Sequence, residues 1–463
     1  MEPIIHVPAD AARIIDRLEQ AGYEAYVVGG CVRDSVLGRE PEDWDITTSA
    51  SPEQVKAIFP RTIDTGIEHG TVTVMDHHVG YEVTTYRVDG EYRDGRHPSS
   101  VTFTRSLKED LLRRDFTINA MAYNPKSGLV DLYDGMGDLA RGCIRCVGVP
   151  KERFSEDALR ILRALRFASQ LGFSIEEETL CAMKELAPRL EAVSAERVRV
   201  ELVKLLGGKC PEMMITAYEI GVTDVILQEW NAMITEVQDN PHHLYDVGRH
   251  TVKTLRALHN EPEYLAADAH ERAIYDMTML LHDSGKPLCR TIEADGFAHY
   301  RGHAIHSAEI AKKVLRRLKF DNETIALVTL LVRWHDCRFD IKKDISFDNS
   351  MRRIVSRVGR DNMRYLFPIM RADIEGQHPA YREHGLARVA RMQEEYEVIL
   401  REGHCVAVRD LAVTGRDLIE LGYKPGPALG EALEKLLQIV LDDPAANNAE
   451  TLAKQAKAWL DEA

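Results

Sequence analysis

Apolar and polar residues follow one rhythm up to about residue 148 and another beyond it. In the first stretch, short apolar and β-branched runs at 24–28, 44–47, 70–75 and 80–87 predict strands, behind a helix expected over 9–21. Asp76-His77-His78 separates the last two runs and predicts a hairpin. The polar, glycine-bearing tract Asp89 to Pro98 predicts a mobile loop. After Gly148-Val149-Pro150 strand signals almost vanish. Ser155 is expected to cap a helix that runs to Leu171 and stops at Gly172, with Leu159, Leu162, Leu165 and Ala168 at helical spacing. A second helix is expected over Ala195 to Leu206, ended by Gly207-Gly208. The pattern predicts an α+β head over 1–145 with a mixed or antiparallel sheet. An all-α neck over 146–215, a helical body over 216–395 and a helical tail over 396–463 follow.

Composition narrows the class. With 463 residues the chain should hold several domains, and 44% apolar content is ordinary for globular cores. A net charge of −15 argues against non-specific nucleic-acid binding but leaves room for a local basic groove. The 8 cysteines form no disulfide-like framework, which points to a reducing cytoplasm. Cys143-Ile144-Arg145-Cys146 has no second pair and reads as strand residues. No apolar run is long enough to span a membrane, so no membrane partner is expected. Nothing in the sequence fixes an oligomeric state.

The chemistry concentrates in Tyr26 to Thr48. Residues two apart in a strand face one way, so Asp43 and Asp45 should set two carboxylates side by side. Adjacent like charges are costly unless a cation joins them, and hard oxygen ligands suit Mg²⁺. Gly29-Gly30, closing an apolar strand and opening a helix expected over Cys31 to Leu37, offers bare N–H groups to a phosphate. Together these point to nucleotidyl transfer; the alternative is a tight turn followed by a solvated acidic loop. Glu82, in a strand expected to neighbour the acidic pair, either joins the metal shell or faces solvent. Arg114 is a candidate for phosphate, Asp115 and Asn119 for ribose hydroxyls. Asp157 and Arg160, three apart, are expected on one helical face. Their carboxylate and guanidinium would match the amino group and ring nitrogen of cytosine and adenine, and mismatch uracil and guanine. The alternative is an intrahelical salt bridge. Arg163 and Arg166 extend the basic face toward phosphate or solvent.

The helical half carries His250, then His282-Asp283-Ser-Gly-Lys, then His303, His306, His335, Asp336 and Asp373. Imidazole beside carboxylate suits a divalent metal. The order resembles the HD-domain metal phosphohydrolases. That resemblance implies a second divalent metal on His250, His282 and Asp283, closed by either Asp336 or Asp373. His299, His303 and His306 could support that site from outside its ligand set or form a binuclear feature.

Taken together, Gly29-Gly30, Arg33-Asp34, Asp43/Asp45, Arg114-Asp115 with Asn119, Asp134 to Arg141, Glu156-Asp157-x-x-Arg160 and Glu196-Arg197 with Glu201 resemble the class II tRNA nucleotidyltransferase and bacterial poly(A) polymerase family. The resemblance covers nearly the whole chain. It implies addition of C, C and A to the tRNA 3′ end from CTP and ATP, with loss of pyrophosphate and two Mg²⁺ held by Asp43 and Asp45. In that family Gly29, Gly30 and Arg33 belong to the triphosphate motif, and Asp134 to Arg141 to a hinge. Asp157 and Arg160 would be a base-reading template, and Glu196, Arg197 and Glu201 a brace for the neck. Tyr92, Asp94 and Arg96 fit the loop of full CCA-adding members. Addition of the final A alone, or poly(A) synthesis, stays as an alternative. From another class, so does an HD phosphohydrolase acting on phosphate esters such as cyclic phosphates at RNA ends. Arg416 and Lys424 would contact tRNA phosphates in the tail.

Overall fold

The computed structural model describes residues 4–90, 101–239, 241, 244–337 and 346–461. The expected loop residues Tyr92, Asp94 and Arg96 therefore lie outside the described residues. The chain forms two compact units, Met1–Asn231 and Ala232–Ala463. Residues 216–231 thus pack with the first unit, not with the helical body expected to start at 216.

The first unit opens with α1 (Ala9–Gln20), β1 (Ala25–Val28), α2 (Gly30–Val36), β2 (Ile46–Thr48) and α3 (Pro52–Ile58). Next come β3 (Thr62–Gly66), β4 (Thr71–Asp76), β5 (Val79–Thr85), β6 (Arg87–Asp89) and β7 (Val101–Phe103). The head closes with α4 (Leu107–Leu112), β8 (Met121–Asn124), β9 (Gly128–Asp131) and α5 (Gly135–Arg141). Seven strands form one sheet in the order β3-β4-β5-β2-β1-β8-β9. Only β2 and β5 pair in parallel; the other neighbours are antiparallel. The expected hairpin is present: Asp76 pairs with Val79 across His77 and His78, whose φ values of 43° and 71° match a two-residue turn with both residues left-handed. Val28, Leu111, Ala120, Ala122 and Val147 bury one core cluster in the head.

The neck contains α6 (Pro150–Glu156), α7 (Leu159–Leu171), α8 (Glu177–Leu186) and α9 (Ala195–Leu206). The single helix expected from Ser155 is instead two. Ser155 lies inside α6, which starts at Pro150 in the first-turn position that suits proline. Asp157 leaves the helical region at φ −143°, and its Oδ1 accepts the Leu159 N–H, starting α7 afresh. α7 ends at Gly172 in left-handed conformation, as expected. Cys143 and Ile144 form a short strand, and all cysteines are free thiols.

The second unit is almost wholly helical. The elements used below are α10 (Val247–Leu258), α11 (Ala269–Leu281), α12 (His303–Arg317), α13 (Asn322–Trp334) and α14 (Met363–Gly376). No helix among the described residues is long and apolar enough to cross a membrane.

Candidate functional site

The acidic pair, expected inside a strand from the sequence, instead precedes β2, yet its backbone is tied to the sheet. Val28 N–H donates to Asp45 O at 3.0 Å, and β2 pairs with β5 from Ile46↔Val83, placing Asp45 beside Glu82. Asp45 is half-buried, whereas Asp43 and Glu82 are exposed. Burial pushes the Asp45 carboxyl from 3.8 up to about 6; the negative charges of Asp43 and Glu82 add to the rise and Arg114 opposes it. Three carboxylates thus share one field, an arrangement that a divalent cation would relieve. All the donors here are oxygens, a set that fits Mg²⁺.

Beside them lies the Gly29 turn. Gly29 has φ 84°, and a Cβ there would sit 3.0 Å from Arg114 Nη1. A side chain there would crowd that guanidinium and be strained at this positive φ, which favours glycine. Arg114 is held at the other side by Asp110, with Nη2 3.6 Å from Oδ2. Asp110 is fully buried, also binds Arg113 at 2.8 Å, and accepts from the Thr47 hydroxyl at 3.1 Å. Sequence reasoning missed Asp110; its signal was the i,i+4 spacing to Arg114.

The other nucleotide candidates form one polar chain. Arg33 donates to Asp34 through two nitrogens at 3.0 and 2.7 Å and to Asn119 Oδ1 at 2.7 Å. Asn119 Nδ2 donates to Asp115 Oδ1 at 3.1 Å, and Arg163 grips Asp115 Oδ2 at 2.7 Å. Burial pushes Asp115 upward, but Arg163, Asn119 and Arg160 outweigh it and hold the carboxyl well below its ordinary range. Glu201 then meets Arg166 at 3.1 Å, and burial pushes Arg166 down to about 10. Arg33, Arg163 and Arg166 all lie over the Phe167 ring, at 4.9, 5.4 and 4.1 Å from its centre. Such contacts contribute on the order of 0.5–2 kcal/mol each. Arg166 is therefore a buried member of this network, not solvated surface.

Asp157 and Arg160 do not share one continuous helical face, because the chain breaks between α6 and α7; the Arg160 N–H donates to Asp157 O at 3.1 Å, while their side chains engage other residues. Arg197 donates to Asp157 Oδ2 at 2.7 Å and to Oδ1 at 3.3 Å. Arg160 donates to Glu156 and to the carbonyls of Arg153 at 3.1 Å and Arg113 at 3.0 Å. In the stretch Asp134 to Arg141, Asp138 is buried and binds Arg141, Arg145 and the Thr117 hydroxyl. In the tail, Arg416 and Lys424 are both exposed.

The helical unit holds a second constellation. His250 on α10, His282 and Asp283 just after α11, and Asp373 on α14 bring ligand atoms within 4.8 Å of one another. Asp283, His303 and His335 form another such group. Asp373 thus completes the first set; Asp336, the alternative from the sequence, belongs to neither, and His335 beside it turns inward instead. His299 pairs with Asp295 at 2.8 Å and His306 is exposed, so of that trio only His303 takes part. Two glycines permit the approach. A Cβ on Gly285 would meet His303 O at 2.5 Å, and one on Gly376 would meet the His250 ring at 2.9 Å. Burial raises the carboxyls of Asp283 and Asp373, yet the surrounding imidazoles, joined by Lys286 at Asp283, hold both well below the ordinary range. Burial lowers His282, but Asp283 and Asp373 outweigh it and hold the ring up to about 10.

Residues 25–145 match the poly A polymerase head domain, and 172–234 match a probable RNA and SrmB-binding site of polymerase A. Residues 376–456 match the putative domain 2 of tRNA nucleotidyltransferase. The CCA-adding enzyme of Leuconostoc mesenteroides is 36% identical over 98% of this chain and 97% of its own length. That of Latilactobacillus sakei is 37% identical over 97% of this chain and 98% of its own. Among solved structures, the Bacillus stearothermophilus CCA-adding enzyme in complex with CTP superposes with a TM-score of 0.68 at 31% identity, covering 98% of this chain and 97% of that one.

Proposed function

The chain belongs to the family of CCA-adding enzymes, and from that premise we propose that it completes the tRNA 3′ end by adding C, C and A from CTP and ATP with release of pyrophosphate. The observation that carries this reading is the meeting of three carboxylates, Asp43, Asp45 and Glu82, in one field with Arg114 over the Gly29 turn. Magnesium held by Asp43 and Asp45 would neutralise the triphosphate and align the tRNA hydroxyl with the leaving group. Arg114 and the Gly29-Gly30 turn receive phosphate oxygens. Arg33, Asn119 and Asp115, already fixed by their mutual bonds, orient the ribose. Catalysis is then mainly positioning and charge neutralisation.

Base choice falls to Asp157 and Arg160. Both are engaged at rest, Asp157 by Arg197 and Arg160 by Glu156. An incoming base must replace those bonds with equally good ones. Cytosine and adenine offer an amino group beside a ring acceptor; uracil and guanine offer the reverse and leave buried groups unpaired. Arg163 and Arg166 act as braces behind the nucleotide. Eight free thiols support a cytoplasmic setting.

The test is labelled CTP alone, ATP alone, and both, offered to tRNA lacking its 3′ end. Incorporation of C, C and then A is expected; incorporation of A alone would leave the A-adding and poly(A) alternatives, told apart by whether one A or many are added.

A second reading concerns the helical unit, as an HD-type body whose His250, His282, Asp283 and Asp373 hold a divalent cation. The grouping of these four ligand atoms in a buried setting supports it. Metal analysis of the purified chain, with hydrolysis of a cyclic phosphodiester, tests it. Activity that survives loss of both His282 and Asp283 would remove the hydrolase idea.

A further inference from the structure

The head carries a groove that nucleotidyl transfer leaves unused. Arg13 and Arg17 stand one turn apart on α1, so they share a face. With Phe59 and Arg61, which follow α3, and with His77 and His78 at the turn between β4 and β5, they line a cavity of about 380 Å³. A second cavity of about 400 Å³ continues it past Arg61, His77 and His78 toward β3. Val74 also lines the first cavity. It follows Thr73, which pairs with Glu82, so it points to the opposite face of the sheet. The groove is therefore separate from the carboxylates of the transfer site.

Its charges are not balanced within the protein. Arg13 grips Asp10, and Asp76 at 2.8 Å, but Arg17 and Arg61 are in no ion pair among the described residues. Arg17 donates to Ile58 O at 2.5 Å and lies over the Phe59 ring, 4.6 Å from its centre, which fixes the guanidinium without neutralising it. Nδ1 of His77 stands 3.1 Å from Arg13 Nη2 and 3.2 Å from Asp76 Oδ1, and the rest of the ring is exposed. His77 and His78 hold φ values of 43° and 71°, where such a turn ordinarily takes asparagine and glycine. Two imidazoles thus stand at the rim at a cost in backbone strain. In a chain of net charge −15, two unpaired guanidiniums beside two imidazoles make a local field for an anion. An inorganic anion would fill little of the space, since a water molecule takes only about 30 Å³. The remaining wall, formed by Ile14, Phe59 and Pro60, is apolar and suits a planar ring.

We propose that this groove is a second nucleotide site, taking a nucleoside phosphate with its phosphates on Arg17 and Arg61 and its base against Phe59 and Pro60, while His77 and His78 donate at the rim. The wall around the base is apolar, so the site does not select among bases. The ligand is either a free nucleotide or the 5′-phosphorylated end of an RNA, which present the same chemistry. The inference goes beyond the transfer reading and does not rest on it.

Labelled CTP with Mg²⁺, and no tRNA, is titrated onto the full chain. About two CTP per chain are expected. The double variant Arg17→Gln, Arg61→Gln, altered only at exposed positions, should hold one as before and bind the other roughly 10- to 100-fold more weakly, with transfer of C to tRNA unchanged. A single CTP that the double variant keeps overturns the groove site and leaves the transfer site standing. A single CTP that the double variant loses upholds the groove and counts against the transfer site instead. AMP should displace the portion of label that the double variant loses at far lower concentration than inorganic phosphate does; equal displacement overturns a nucleotide in favour of a bare anion. A 5′-phosphorylated RNA trinucleotide that competes as well as AMP assigns the ligand to an RNA end, and failure to compete assigns it to the free nucleotide; either result upholds the site.

Discussion

Replacing Asp45 by Asn should make the metal-free protein more stable while abolishing its activity. In the folded head the Asp45 carboxyl titrates at about 6 against an ordinary 3.8. The gap of about 2 units corresponds to about 3 kcal/mol, at about 1.36 kcal/mol per unit. Asp45 is only half-buried, so solvent screening reduces the usable figure to about 1–2 kcal/mol. The sign follows from linkage: a carboxyl raised on folding contributes stability that is fully present below 3.8 and is lost as pH rises through about 6. Near neutrality the wild-type head therefore carries a penalty that the neutral amide lacks. For a unit the size of Met1–Asn231 this amounts to a rise of roughly 2–8 °C in midpoint temperature. Calorimetry in chelator at pH values on either side of 6, repeated with Mg²⁺, measures it. The Asn variant should gain stability only on the alkaline side, and Mg²⁺ should raise the wild-type midpoint but not the variant's. A variant no more stable than wild type above pH 6, or one that Mg²⁺ stabilises equally, would refute the crowding of Asp43, Asp45 and Glu82.

The remaining expectations concern other parts of the structure. Asp157→Ala should raise the relative kcat/KM for UTP and GTP by roughly 10- to 100-fold, as about 1–3 kcal/mol of mismatch cost is lost; a variant that still refuses both would count against the template. Arg197→Ala should relax base choice in the same direction with less effect on chemistry, read from the same nucleotide series. Gly29→Ala forces a side chain into φ 84° and against Arg114, so CTP transfer should fall by orders of magnitude while circular dichroism stays near wild type. Gly376→Ala should displace the His250 ring and lower the metal content of the chain without changing CTP transfer.

Local signals were legible wherever one segment decided its own conformation. The two-residue His77-His78 turn, the strand at Ala25–Val28, and the helix from Ala195 with its stop at Gly207 all follow from nearby residues. The neck helix did not, because apolar spacing runs on through residue 157 while Asp157 binds the Leu159 N–H and Arg197. An Asp two residues ahead of an apolar run is itself a start signal, so that break was readable in part. The choice between Asp336 and Asp373 was not readable. Both are spaced plausibly from His282, and only the packing of α14 against α10 decides it. The links Arg33–Asn119 and Arg163–Asp115 likewise join residues far apart in sequence, and no local pattern announces them.

Asp157 stands at the joint between two helices, while Arg160 is built into the first turn of the second. A group at a joint can swivel through its own torsions without unwinding either flanking rod; one embedded in a rod moves only with it. A one-ring and a two-ring heterocycle put their edges at different depths. On the proposed reading, an acceptor released from Arg197 and set against a fixed donor would give a single cleft the latitude to greet both in turn.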